Sequence, residues 1–123
     1  MKKNLTNLRV WKDSIELAVR VYEAVADFPR RGSGLADQMT RAAVSVPSNI
    51  AEGKGRLSDR ERRRFAGVAR GSLLELQTQL MIAERVGLLP EQTARNLIDL
   101  SGDVGRQLNG LIRYFSKSET GER

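Results

Sequence analysis

Ser58-Asp59-Arg60-Glu61-Arg62-Arg63-Arg64-Phe65-Ala66-Gly67-Val68-Ala69-Arg70-Gly71-Ser72-Leu73-Leu74-Glu75-Leu76-Gln77-Thr78-Gln79-Leu80 decides the fold class of this 123-residue chain. Its first four residues match a capping box, in which the Ser58 hydroxyl accepts the Glu61 backbone N–H and the Glu61 carboxylate reaches back to the Ser58 N–H. Phe65, Ala69, Ser72, Leu76, Leu80 and Ala83 then recur every three or four residues, the spacing of one apolar face of a helix. Gly87 is a natural stop, because glycine adopts the left-handed conformation that ends helices. No stretch of the chain alternates with the two-residue period of a strand.

Three more segments read the same way. Residues 8–28 carry Leu8, Trp11, Ile15, Ala18, Tyr22 and Val25 on one strip, with Val10, Leu17, Val21, Ala24 and Phe28 on a second strip beside it. The combined arc is wider than one intramolecular seam needs. Residues 35–52 carry Leu35, Met39, Ala42, Ala43, Val46 and Ile50, with Pro47 placed to kink the helix. The fourth opens with Pro90 at a first-turn position and runs to about Ser116 through Leu97, Leu100, Val104, Leu108, Leu111, Ile112 and Phe115. Four long helices joined by short loops predict an all-α, antiparallel up-down-up-down four-helix bundle over residues 8–116. One domain suits this length, with frayed ends at 1–7 and 117–123.

Composition excludes much chemistry. With no Cys and no His, the chain lacks a thiol nucleophile, a thiolate metal site, the usual general base and the commonest metal ligand. The inward Glu-x-x-His pairs of di-iron bundles cannot occur, so neither a cofactor nor a metal is expected, and the reading is non-enzymatic. No apolar run approaches the length of a membrane span, and the N-terminal residues lack a leader's apolar stretch. A cytoplasmic protein without a membrane role is the expectation.

Charge is placed unevenly. The chain has 21 Lys and Arg against 15 Asp and Glu, a net +6. Lys54, Arg56, Arg60, Arg62, Arg63, Arg64 and Arg70 face only Asp59 and Glu61 between residues 54 and 70, so the rest of the chain is close to neutral. On a helical wheel Arg60, Arg63, Arg64, Arg70 and Arg85 lie opposite the apolar stripe. Guanidinium groups bind phosphate oxygens in pairs and stay charged, so Lys54, Arg56, Arg60, Arg63, Arg64, Arg70 and Arg85 are the candidate contacts to a DNA or RNA backbone. Alternatively, the arginines solvate an exposed helix face. Gly67 and Gly71 share that outward side, where each costs about 1 kcal/mol of helix propensity relative to alanine. With Val10, Leu17, Val21 and Phe28 they form the expected surface for self-association.

Between the second and third segments, Pro47-Ser48-Asn49-Ile50-Ala51-Glu52-Gly53-Lys54-Gly55-Arg56 invites comparison with a phosphate-binding loop. The comparison fails, because Lys54 lies between two glycines after a helix and no Ser or Thr follows it. Asn49 and Glu52 are instead expected to be partly buried and structural, bonding backbone freed by Pro47 or tying this helix to a neighbour.

Val10-Trp11-Lys12, Phe28-Pro29, the run Arg41-Ala42-Ala43-Val44-Ser45-Val46-Pro47-Ser48-Asn49-Ile50-Ala51-Glu52-Gly53, Gly55-Arg56 and Gly71-Ser72-Leu73-Leu74-Glu75-Leu76-Gln77-Thr78-Gln79-Leu80 together resemble a bacterial family. These are the four-helix-bundle proteins encoded in intervening sequences of large-subunit ribosomal RNA genes. The accessory variability determinant proteins of diversity-generating retroelements are similar. The resemblance spans residues 8–115 and implies a barrel-like homopentamer with a basic surface. Its retroelement branch implies binding to a reverse transcriptase and to nucleic acid.

Two functions follow as expectations. One is an oligomeric nucleic-acid-binding accessory protein that contacts phosphates without regard to sequence and assists a reverse transcriptase. The other is an oligomeric protein-interaction scaffold with no nucleic-acid role.

Overall fold

A computed structural model describes residues 8–120. The chain forms α1 (Arg9–Val25), a short 3-10 turn (Arg30–Gly32), α2 (Ser33–Lys54), α3 (Asp59–Arg85) and α4 (Glu91–Thr120). Consecutive helices pack side by side and α4 returns against α1, closing an antiparallel up-down-up-down four-helix bundle. No strand occurs among the described residues. α4 continues through 117–120, past the expected end at 116, while 1–7 and 121–123 lie outside the described residues.

The core is aliphatic. Leu17 and Val21 from α1, Met39, Ala43 and Val46 from α2, Leu73, Leu76 and Leu80 from α3, and Val104 and Leu108 from α4 are all fully buried. Both strips of α1 take part in this core. Val10, Leu17 and Val21, expected between copies, are core residues, and Phe28 packs half-buried against the same core. Of the other strip Ala18 is buried and Leu8, Trp11 and Val25 pack against the same core, which leaves Val19 and Tyr22 as the half-exposed large apolar residues of α1. The wide apolar arc is therefore used inside the bundle, against α2 and α4, and not between copies.

Pro47 does not end α2, which runs unbroken from Ser33 to Lys54 with the proline ring buried. Burial of Ala43, Val46 and Ile50 around it outweighs the roughly 3 kcal/mol that an interior proline costs an isolated helix. α3 begins as expected, with Ser58 Oγ accepting the Glu61 N–H at 3.2 Å. The reciprocal half of the capping box gives way to an ion pair, because the Glu61 carboxylate accepts from Arg64 Nε at 3.2 Å.

At its other end α3 closes with a Schellman motif. Gly87 stands at φ +79°, with the Gly87 N–H on the Glu84 carbonyl and the Leu88 N–H on the Ala83 carbonyl. Leu88 then packs against Gly32, where an added Cβ would lie 2.9 Å from its Cδ2 atom. The α1–α2 and α3–α4 turns therefore interlock at one end of the bundle. At the opposite end α2 and α3 approach closely, since a Cβ on Gly53 would stand 3.1 Å from Phe65 Cβ.

Candidate nucleic-acid interface

Seven cations were expected to form one surface, and the fold separates them into three groups. Lys54, Arg56, Arg60, Arg63 and Arg64 gather where α2 ends and α3 begins. Arg70 lies ten residues beyond Arg60 on the same helix, about 15 Å along its axis. Arg85 is in the last turn of α3, about 37 Å from Arg60 along the axis, and belongs to the opposite end of the bundle. The basic surface is therefore a tip with one outlier along α3, and Arg85 does not extend it.

Within the tip the side chains divide by partner. Arg56 Nη2 donates to Glu52 Oε2 at 2.8 Å and Arg64 Nε to Glu61 Oε2. The same two guanidiniums stand 4.6 and 4.5 Å from the centroid of the Phe65 ring. An ion pair and an aromatic ring thus fix each in direction, although surface pairs of this kind contribute little to stability. Arg63 is half-buried and engaged. Lys54, Arg60, Arg70 and Arg85 are exposed and have no carboxylate partner among the described residues. Phe65, read from sequence as the centre of the core face, sits at its edge, and Ala66 occupies the buried position.

Glu52 also departs from expectation. It lies on the exposed side of α2, two residues past buried Ile50, and forms a surface pair with Arg56. Asn49 keeps the structural part. Its Nδ2 donates to the Ser45 carbonyl at 2.8 Å and to Ser45 Oγ at 3.0 Å, while Ser45 Oγ meets Ser72 Oγ on α3.

Gly67 and Gly71 face outward, as the wheel placed them, and a Cβ added to either would meet nothing within 4 Å. Leu74, Met81 and Ile82 continue that face toward Arg85 and are about half exposed. The outer side of α3 is thus basic in its first half and small or apolar in its second. In the loop joining the basic tip's two helices, Leu57 is 97% exposed and contributes nothing to the core.

An open cleft of about 490 Å³ adjoins the tip, lined by Ile50, Lys54, Asp59, Arg62, Leu111 and Tyr114 among others. Arg62 Nη1 donates to Asp59 Oδ1 at 2.8 Å across its floor. From sequence, Arg62 and Asp59 count in the charged stretch without being candidate contacts, and Tyr114 is not singled out. The first two carry a signal in their three-residue spacing, whereas Tyr114 is brought to the tip only by the return of α4.

Among the described residues no cluster of three or more acidic side chains could hold a metal ion, and no helix is long and apolar enough to cross a membrane. Comparisons with known proteins agree with the fold. The profile of the 23S rRNA-intervening sequence protein family matches residues 6–110. A solved protein of unknown function from the S23 ribosomal protein family of Bacteroides thetaiotaomicron superposes with a TM-score of 0.78 at 20% identity, covering 84% of this chain and 97% of its own. No match was found among curated proteins.

Proposed function

The chain belongs to the 23S rRNA-intervening sequence protein family, and on that premise we propose that it is a non-enzymatic, oligomeric nucleic-acid-binding accessory protein. The observation that carries this reading is the state of Lys54, Arg60 and Arg70, which are exposed and unpaired by any carboxylate among the described residues. Arg60, in the first turn of α3, is slightly opposed by the helix dipole, so its charge is not explained by helix stability. Exposed ammonium and guanidinium groups of this kind suit the phosphate backbone of DNA or RNA, which they contact without regard to base sequence.

Self-association supports the same reading. Gly67 and Gly71, with exposed Leu74, Met81 and Ile82, offer a surface for a second copy, and assembly there would leave the tip at the start of α3 displayed. A ring of copies, the homopentamer that the sequence resemblance implies, repeats the tip, so that modest contacts add through effective concentration. A reverse transcriptase is the protein partner this reading would serve, and its place of action is the cytoplasm.

The same apolar half of α3, together with Leu57, favours a second reading, a protein-interaction scaffold whose arginines only solvate it. Binding of labelled duplex and single-stranded nucleic acid at two salt concentrations separates the readings. Affinity that falls steeply with salt supports the first, and no binding at about 50 mM salt supports the second.

A further inference from the structure

We infer that the cleft at the basic tip accepts an unstacked base of single-stranded nucleic acid, so that the protein prefers single strands over duplex. This rests on the nucleic-acid reading above and specifies its ligand.

Three features converge there. The first is shape, because the cleft encloses about 490 Å³, inside the roughly 300–1,000 Å³ range of ligand clefts. Its apolar walls come from Ile50 on α2, Ala66 on α3 and Leu111 on α4. The second is an aromatic face. Tyr114 lines the cleft with 54% of its surface exposed, and its ring stands edge-on to Phe115 with centroids 5.7 Å apart. An exposed ring braced by a second ring offers a base a stacking surface.

The third feature is charge. Lys54 lines the cleft without a carboxylate partner among the described residues, and Arg56 and Arg60 follow within the same tip. A phosphodiester running past Lys54 and Arg60 would carry its bases toward Tyr114. Polar groups at the wall serve a base edge. Asn49 commits its amide N–H to Ser45, and its Oδ1 accepts no hydrogen bond among the described residues.

Cations along a backbone path beside an aromatic surface in an apolar slot are the chemistry by which single strands are held. A duplex keeps its bases stacked and can offer only phosphates to the same tip. An apolar peptide would gain nothing from Lys54, and an acidic peptide would gain nothing specific from Tyr114. RNA and DNA share the required chemistry.

The test uses the full chain with fluorescein-labelled oligo-U, oligo-dT and a duplex of equal length. Single strands are expected to bind more tightly than duplex at the same salt, with the stronger of oligo-U and oligo-dT identifying RNA or DNA as the source. Tyr114→Ala should weaken single-strand binding by about 5- to 150-fold, the effect of one stacked base, and leave duplex binding unchanged. Tyr114→Phe should bind as the parent does, because the ring remains.

A fluorescent adenine analogue placed in the single strand gives a readout without any variant, since its emission should change on stacking against the parent protein. The inference is overturned if Tyr114→Ala affects both nucleic acids equally, if Tyr114→Phe loses as much as alanine, or if the analogue's emission stays constant at saturation. Should Arg60→Ala/Arg70→Ala abolish binding while the tyrosine variants change nothing, the phosphate reading stands and the cleft assignment falls. Absence of binding to every probe at low salt removes both.

Discussion

Ser45 Oγ on α2 and Ser72 Oγ on α3 lie 2.7 Å apart and share a hydrogen bond across the helix pair. Asn49 completes the arrangement from one turn further along α2, its Nδ2 reaching both the Ser45 carbonyl and hydroxyl. Ser45 and Asn49 flank Pro47, which cannot donate to the helix ladder, and Ser45 joins α2 to α3 through Ser72. Small residues around them, including buried Ala42, Ala43, Ala66 and Ala69, let the two helices approach closely enough for hydroxyls to meet. The polar link thereby fixes the α2–α3 register, and with it the position of the basic tip.

Asn49→Ala is accordingly expected to lower stability by about 1–2 kcal/mol, since it removes both hydrogen bonds that the half-buried Asn49 amide donates to Ser45. Glu52→Ala should change stability by less than about 0.5 kcal/mol, because its pair with Arg56 is solvent-exposed. Thermal unfolding of the two variants beside the parent checks the contrast. Equal losses would mean that Asn49 has no greater structural role than a surface carboxylate.

Gly87→Ala tests the other end of the bundle. At φ +79° a side chain is strained, and the substitution should cost about 1–2 kcal/mol. The open surroundings of Gly87 rule out a steric contribution, as nothing lies within 4 Å of an added Cβ. Denaturant unfolding should show a lower midpoint with an unchanged slope. A midpoint equal to the parent's would show that the Schellman closure adds nothing to stability.

The outward glycines make a prediction with two opposite signs. Gly67→Ala and Gly71→Ala sit in helix interior with free space around them, so each should raise the stability of the isolated bundle by about 1 kcal/mol. If copies meet on this face, the same changes should weaken self-association measured by sedimentation, and Gly71→Leu should weaken it further. Asp99→Leu, an exposed change on α4, provides the comparison. Equal assembly of the Gly71 and Asp99 variants would place the interface elsewhere.

Periodicity made the bundle legible, but not the phase of every helix. Helix α3 has one apolar stripe, read correctly at Ala69, Leu76, Leu80 and Ala83 and one residue early at Phe65 and Ser72, where Ala66 and Leu73 are the buried residues. Phe65 attracted the core assignment by its size, yet Arg56 and Arg64 hold it at the edge while Ala66 turns inward. Helix α1 carries two strips of similar character, and nothing local says that Leu17 rather than Ile15 should be fully buried. The arginines of the tip were visible because they are close in sequence. Arg85 was grouped with them by angle alone, since a wheel suppresses distance along the axis. The cleft stayed hidden because Ile50, Asp59, Leu111 and Tyr114 come from three helices and meet only after folding.

The final prediction concerns the uncommitted cations. Arg60 and Arg70 are the substitutions of choice because both are exposed and neither pairs with a carboxylate among the described residues, so replacing them leaves no orphaned acid. Arg56 and Arg64 would be poorer probes, since removing either also leaves Glu52 or Glu61 without its partner at the tip. Arg60→Ala/Arg70→Ala should therefore fold as the parent does, with a melting temperature within a degree or two. If both arginines neutralise phosphates, the logarithm of affinity for duplex DNA should fall with the logarithm of salt by about 0.9 per phosphate contacted, and the double variant should flatten that slope by about 2 per engaged protomer. Weakening should be nearly uniform across base sequences, because phosphate contacts carry no base information. Arg85→Ala, at the far end of α3, should leave the slope unchanged. Fluorescence anisotropy between about 50 and 200 mM salt measures all three proteins over a range in which six to ten phosphate contacts would cost roughly 10³ to 10⁵ in affinity. A slope that Arg85→Ala flattens as much as the double variant would show that binding follows net charge rather than the tip, and would return the arginines to the role of a solvated helix face.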